Sequence, residues 1–395
     1  MLNRSPRAGR ALLAAATAAA LLLAGCATLT TPVGAVPDAL YTDSGFQPPS
    51  APIDARQVMA VTPEMREFLK RQNPSGVYSA AARDRLLDDL FTRGRLKLDY
   101  EASSTRTAAQ AFEARRGNCL SLVLLTAALA REMDLAVTFQ SVSTDEVWSR
   151  AGDMYFLSGH VNVVLGRRMA MVSEHLDRAV QKVVDFLPAE DVAGMHTRAI
   201  GENTVLAMFM NNRAAESLVA GQVDDAYWYA REAIRQDPNF LSSYNTLGVV
   251  YLRHKEPARA EQVLRFVAAH DPDNPRMVGN LAQSLRDQGR VDEARILDAR
   301  LEQIEPYPPF HFFVLGQLAM VKGDYAGARA QFQRELRREP DYHEFHFWLA
   351  QADVRLGDYE DARKHLALAM ENSTKRSDKD LYAAKLDRMS AAGFR

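Results

Sequence analysis

The sequence is poor in cysteine, with two in 395 residues, Cys26 and Cys119. That excludes a disulfide framework, and a chain of this length can hold its fold with a hydrophobic core instead. A basic excess is also missing. The 48 Lys and Arg face 50 Asp and Glu, for a formal net charge of −2. Nucleic-acid binding, which needs cations to neutralise phosphates, is therefore not expected. With 21 glycines and 17 prolines, the chain is neither collagen-like nor of low complexity. It has no HExxH and no CxxC motif, so nothing points to zinc, and no cofactor is expected. After the first 26 residues no apolar run reaches 18 residues, which leaves no transmembrane helix in the remainder. What is present is 47% hydrophobic and 25% charged, a globular balance with room for two or three domains.

The first segment reads as an address. Arg4, Arg7 and Arg10 open it without an acidic residue, and Ala11 to Leu23 is apolar or small apart from Thr17. As a helix this run rises about 20 Å, too short to cross a bilayer, and it fits the core of a signal peptide. It ends Leu23-Ala24-Gly25-Cys26. An aliphatic residue and two small residues before a cysteine resemble a bacterial lipoprotein signal. The resemblance implies cleavage after residue 25, lipidation of Cys26 and anchoring in the envelope facing the periplasm. By the same resemblance, Ala27 after the cysteine does not look like an inner-membrane retention signal, which implies the outer membrane. Residues 26–58 carry Pro32, Pro37, Pro48, Pro49 and Pro52 with no helical or strand period, and read as an extended tether.

The C-terminal half repeats. Pro238, Pro272, Pro306 and Pro340 are spaced by 34 residues. The same period carries Ala226, Ala260, Ala294, Ala328 and Ala362, and the small residues Ala214, Gly248, Ala282, Gly316 and Ala350. Gly221, Gly289, Gly323 and Gly357 mark equivalent turns, with Lys255 as the exception. This pattern resembles the tetratricopeptide repeat, five copies over 207–376 with a capping helix at 377–395. Each unit is a pair of antiparallel helices whose small residues let the backbones approach, and stacked units form a superhelix. The resemblance implies a protein or peptide partner on the concave face. His343 and His346 lie three apart, but with no third ligand in view they read as structural.

Residues 59–200 do not repeat. Thr62-Pro63-Glu64 starts one helix, and others are expected near 79–93 and 106–115. Gly117-Asn118 then breaks the chain, and CLSLVLLTAALA from Cys119 to Ala130 is apolar nearly all round. A helix of that kind is buried, with Asn118 as its cap and Cys119 at its start. The positive end of a helix favours a thiolate, and its first N–H groups can hold an oxyanion. Arg115 and Arg116 add positive charge nearby. Strands follow at Ala136–Val142, Gly159–Leu165 and 182–188. In the second, Val161, Val163 and Leu165 share one face, leaving His160 and Asn162 on the other.

The motifs GNCLSLVLLTAALAREMDL, GHVNVVLG and VVDFLP together resemble the transglutaminase-like superfamily in its bacterial branch, over roughly 105–190. The fold class expected is therefore α+β, a transglutaminase-like cysteine-hydrolase core followed by an all-α solenoid. The resemblance implies a papain-like triad, with Cys119 as nucleophile, His160 as base and then acid, and Asp185 orienting the imidazole. It implies a cysteine protease or amidase, or a transglutaminase-like acyltransferase, acting on peptide or amide bonds. Asn118 and Gln140 are the side-chain candidates for the oxyanion hole. His175, His196 and Trp148 match no motif and read as packing or surface residues. The alternative is a non-catalytic envelope scaffold, with a vestigial core and protein-binding repeats.

Overall fold

The computed structural model describes residues 36–72, 80–91, 96, 98–101, 104–151, 154–167, 181–187, 195–373 and 376–391. The signal segment 1–25, Cys26 and His175 lie outside the described residues. The backbone of Trp148 belongs to a strand, but its side chain is outside them.

The non-repeating unit begins with α1 (Pro63–Gln72) and α2 (Ala80–Phe91). The Thr62 hydroxyl caps α1 by accepting from the Met65 N–H at 3.3 Å. The short strand β1 (Asp99–Tyr100) follows, then α3 (Ala108–Ala114), β2 (Arg116–Gly117) and α4 (Cys119–Glu132). Then come β3 (Leu135–Ala151), β4 (Met154–Arg167), β5 (Lys182–Val184) and β6 (His196–Ile200). β1 pairs with β2 in parallel, whereas the other four strands form an antiparallel sheet in the order β5-β4-β3-β6. The sequence pattern marks only the halves of β3 and β4 next to α4, and misses β6 altogether. β6 has no buried residue to print a period on the sequence. One face of the sheet, carrying Phe139, Val161, Val163, Leu165 and Val184, shares a core with Leu120, Val123, Leu124 and Ala127 of α4. α4 is buried on nearly every side, because α1, α2 and α3 cover its far face through Leu125, Ala128 and Leu129.

Five helix pairs follow. They are α5 (Glu202–Val219) with α6 (Val223–Gln236), α7 (Leu241–Arg253) with α8 (Pro257–His270), and α9 (Pro275–Asp287) with α10 (Val291–Ile304). The last two are α11 (His311–Lys322) with α12 (Tyr325–Leu336), and α13 (His343–Leu356) with α14 (Tyr359–Asn372). A final helix, α15 (Arg376–Ala391), packs on α14 as the cap. The periodic alanines are buried, and a Cβ on Gly248 would sit 2.8 Å from Leu264, so the period marks real helix contacts. The described residues are mostly helical.

Two features depart from the sequence reading. α5 starts at Glu202, five residues ahead of the expected array, and its Val205, Leu206, Phe209 and Met210 belong to the core of the sheet. The first repeat is thus welded to the non-repeating unit. The stretch read as an extended tether is, from residue 36 on, docked. Leu40 and Phe46 enter the core of the first three repeats, and Phe46 stacks on Tyr227 with centroids 3.9 Å apart. Tyr227 donates to Asp43 at 2.7 Å, Tyr251 donates to the Leu40 carbonyl at 2.8 Å, and Trp228 donates to the Gln47 carbonyl at 2.6 Å. Ala55 and Val58 then enter the core of the sheet. Proline masks this docking in the sequence, because the segment satisfies its backbone with side chains of the repeats rather than with a ladder of its own.

Candidate active site

The start of α4 is built by its flanks. α3 opens with a capping box between Thr107 and Gln110, and Arg115 ends it in the left-handed region at φ 52°. That turn brings β2 alongside β1, where Tyr100 is opposite Gly117. A Cβ on Gly117 would lie 2.7 Å from the Ser121 Cβ, so the close approach of β2 to the first turn of α4 requires glycine. Asn118 caps α4, its Oδ1 accepting from the Ser121 N–H at 2.9 Å and from the Ser121 hydroxyl at 2.7 Å. Its Nδ2 donates to the Thr105 hydroxyl at 2.8 Å. Asn118 is therefore engaged as a cap, with one of its two Nδ2 hydrogens given to Thr105. Cys119 is the first residue of α4 and half-buried. Arg115 and Arg116 are exposed, and Arg116 pairs with Glu101 at 3.1 Å.

His160 comes to this point from β4. β3 and β4 lose register between Val142 and Val147, directly before the Val142–His160 pair. Such irregularities re-aim the adjacent side chain. His160 is only 5% exposed. Its Nε2 lies 2.6 Å from Asp185 Oδ1, and the Cys119 side chain is near enough to help raise its pKa. Since Nε2 is taken by the carboxylate, Nδ1 is the nitrogen left for the thiol.

Asp185 follows β5 and is held from two further directions. The Leu187 N–H donates to its Oδ1 at 3.0 Å, and Asn162 Nδ2 donates to its Oδ2 at 3.1 Å. The three residues singled out by the motifs, 41 and 25 positions apart, are thus brought together.

The electrostatics follow the same contacts. Burial opposes the imidazolium, but the Asp185 carboxylate and Cys119 outweigh it and raise His160 to about 9. Burial likewise opposes the Asp185 carboxylate, but His160, the Leu187 N–H and Asn162 hold it below the usual carboxylate range. Tyr100 is pushed up to about 12, first by burial and then by the charge of Cys119.

Asn162 is the residue whose role escapes sequence reading. Alternation puts it on the His160 face, but its contact with Asp185 exists only once β5 is paired. Its Oδ1 is buried without a partner among the described residues. Gln140 faces Asn162 across the β3–β4 ladder and is half-buried. Among the described residues it makes no hydrogen bond to Cys119. His196 is exposed on β6.

A cavity of about 830 Å³ lies at the other end of α4, between Arg131, Glu202, Leu206, Arg235 and the 53–59 segment. The length of α4 separates it from Cys119, about 18 Å, so it is not part of this site. No group of three or more His, Cys, Asp or Glu side chains among the described residues is arranged to hold a metal. His346 meets His365 at 3.1 Å and the Pro340 carbonyl at 2.8 Å, and His343 meets the Tyr382 hydroxyl at 2.8 Å.

Comparison with known proteins bears on the second half of the chain. The tetratricopeptide repeat model matches residues 245–309 and 313–376. The C-terminal half is a tetratricopeptide-repeat array. A TPR repeat-containing protein of Pseudomonas aeruginosa is 27% identical over 174 residues, which are 40% of this chain and 30% of that protein. A protein O-mannosyl-transferase of Mus musculus is 22% identical over 127 residues, 31% of this chain and 14% of that one. The chain therefore spans less than a third of the length of these curated relatives. Among solved structures it is similar to a thermophilic TPR protein of Thermus thermophilus, at 18% identity and a TM-score of 0.31. That match covers 46% of this chain and 98% of that one. It is also similar to Pseudomonas aeruginosa pilF, at 22% identity and a TM-score of 0.30, over 47% and 84%. Repeats of this family are binding modules, and the comparisons favour a protein-binding scaffold.

Proposed function

We propose that this chain is an envelope lipoprotein whose repeats hold a protein or peptide partner, and whose sheet unit carries out thiol chemistry on peptide or amide bonds. The observation that carries the chemistry is the 2.6 Å contact between His160 and Asp185, with Cys119, at the start of a buried helix, near enough to help raise the imidazole's pKa. In this reading the Cys119 thiolate attacks the carbonyl carbon, and the N–H groups of the first turn of α4 stabilise the oxyanion. The His160 imidazolium gives its proton to the leaving amine as the C–N bond breaks, leaving a thioester. Water, deprotonated by His160, then attacks the thioester, the C–S bond breaks and a carboxylic acid is released. An amine in place of water would give acyl transfer. Asp185, itself held by Asn162, stabilises the imidazolium and fixes the ring through Nε2, leaving Nδ1 to serve the thiol.

Lipidation of Cys26 would place the protein on the periplasmic side of the envelope, at the outer membrane, 10 residues before the docked segment begins at residue 36. The Leu-Ala-Gly-Cys run supports this reading. Cys26→Ser should move the protein to the soluble fraction or leave it unprocessed. Unchanged fractionation with membranes would remove the lipoprotein claim.

A second reading, a scaffold with a vestigial core, is favoured by the comparisons, since the family match falls wholly on the repeats. Acylation by p-nitrophenyl acetate separates the two. The catalytic reading expects a burst of nitrophenolate equal to the enzyme present, absent in Cys119→Ala and slowed at least tenfold in His160→Ala. Equal rates in all three proteins would leave the scaffold.

A further inference from the structure

The array is interrupted between its third and fourth repeats. α8 packs on α9, and α12 on α13, across the corresponding boundaries, whereas no comparable packing joins α10 to α11. The cores divide at the same place. One cluster runs through the first three repeats to Leu301 and Ile304, and a separate one begins at Phe310.

The 34-residue phase shows what is left uncovered. Leu247, Leu281 and Leu349 are buried, but their equivalent on α11, Leu315, is 39% exposed. Val250, Ser284 and Ala352 are buried, but their equivalent Leu318 is 51% exposed. On the facing side Ala233, Val267, Glu335 and Ala369 are buried, while Leu301 on α10 is only half-buried. In the first repeat, which no helical pair precedes, the positions of Leu315 and Leu318 are Arg213 and Glu216, an ion pair at 2.8 Å. The chain thus places polar residues where no repeat precedes and leucines at this inner boundary.

The connection holds the gap open. It contains Pro306, Pro308 and Pro309, and Phe310 stands in the left-handed region at φ 63°. Arg338 donates to the Tyr307 carbonyl at 2.9 Å and to the Pro308 carbonyl at 3.2 Å, tying the linker to the fourth repeat. Glu335 pairs with Arg338 and accepts the N–H groups of Phe312 and Phe313, which fixes the start of α11.

We infer that the cleft between α10 and α11 is a docking site for an amphipathic α-helix of a partner protein, inserted where the preceding helix would lie in an unbroken array. The inference rests on the partner-binding half of the proposed function and is independent of the thiol chemistry. The other boundaries of the same chain define the occupant. At the second boundary Val263 and Val267 of α8 share a core with Leu281 of α9. The occupant therefore presents uncharged apolar side chains at i and i+4. On α11 it meets Val314, Leu315 and Leu318, an apolar stripe with no charge.

The test uses the full chain and a fluorescent peptide of residues 257–270, held helical by a hydrocarbon staple on its polar face. Fluorescence anisotropy should show saturable binding, weakened at least tenfold by Leu318→Glu in the protein or by Val263→Glu in the peptide. Leu318 is already half in solvent, so the variant should keep the circular dichroism and melting of the parent. Absent binding, or binding indifferent to both changes, overturns the inference. So does an intrachain disulfide that forms quantitatively between Leu301→Cys and Leu315→Cys before peptide is added, because the array is then closed. A dimer dissociated by Leu318→Glu also overturns it, because a second copy then covers the face. A natural partner that binds parent and Leu318→Glu equally would leave the scaffold reading standing and remove this cleft.

Discussion

His160 is the residue on which stability and chemistry meet. Its value of about 9 in the fold lies above the ordinary 6.5. The stabilisation is therefore complete below pH 6.5 and is lost as pH rises through 9. Asp185 acts in the opposite sense, because its depressed value contributes stability above the ordinary carboxylate range that is lost on acidification. The sheet unit should be most stable in the window between. Thermal unfolding followed from pH 6 to 10 should report a loss of at most about 3 kcal/mol across the upper edge. Asp185→Asn should move the His160 titration, read by NMR, downward and flatten that edge. An unchanged His160 titration in Asp185→Asn would mean that the carboxylate is not what holds the proton. The site's main residues were legible in the sequence because their motifs are local: Gly-Asn-Cys before an apolar helix, Gly-His on a strand, Val-Val-Asp at the end of another. Asn162 was legible only as a neighbour of His160, since β5 is short and its pairing is a tertiary fact.

At the scale of elements, the repeat turns carry a direct comparison. Gly221, Gly289, Gly323 and Gly357 adopt φ between 75° and 87°, and Lys255 holds the same turn at φ 66°. A side chain in that region costs about 1 kcal/mol. Lys255→Gly should relieve it, offset in part by the larger entropy of an unfolded glycine, for a net gain of up to about 1 kcal/mol in denaturant unfolding. Gly323→Ala should lose a similar amount. Inside the helix pairs the requirement is space. Gly316 lies against the Phe332 ring where a Cβ would overlap it. Gly316→Ala should cost about 1–3 kcal/mol by overpacking, and an unaltered melting temperature would show that α11 and α12 are not in this phase.

For the whole molecule, the docked stretch from residue 36 to Val58 links the repeats to the sheet unit. Phe46 is buried against Tyr227, Tyr251 and His254. Phe46→Ala should cost about 3–5 kcal/mol where the site stays unfilled. Cleavage by a nonspecific protease within residues 38–52 should accelerate first, before global unfolding. Equal protease resistance in the two proteins would mean that the segment is held by its polar contacts alone. The welded first repeat adds to this connection, because α5 buries Phe209 and Met210 in the sheet core and its later turns in the solenoid. Relative motion is therefore expected at the uncovered boundary near residues 305–310 rather than between the two units.

The sequence by itself determined the features whose cause is local or periodic. Small residues at a 34-residue period specify paired helices because each pair must close on the same contact. A cap followed by an apolar run specifies a buried helix with Cys119 at its start. Alternating valines specify a strand with His160 on its other face. Tertiary structure decided the rest. Which repeats stack depends on whether the preceding helix reaches the leucines of α11, and a proline-rich linker tied down by Arg338 decides that. Proline-rich residues 36–58 look like a tether by composition, but long-range hydrogen bonds and one stacked aromatic ring dock them. Asn162 and β6 acquire their places only through strand pairing, which joins residues far apart in the chain and leaves no period in either partner.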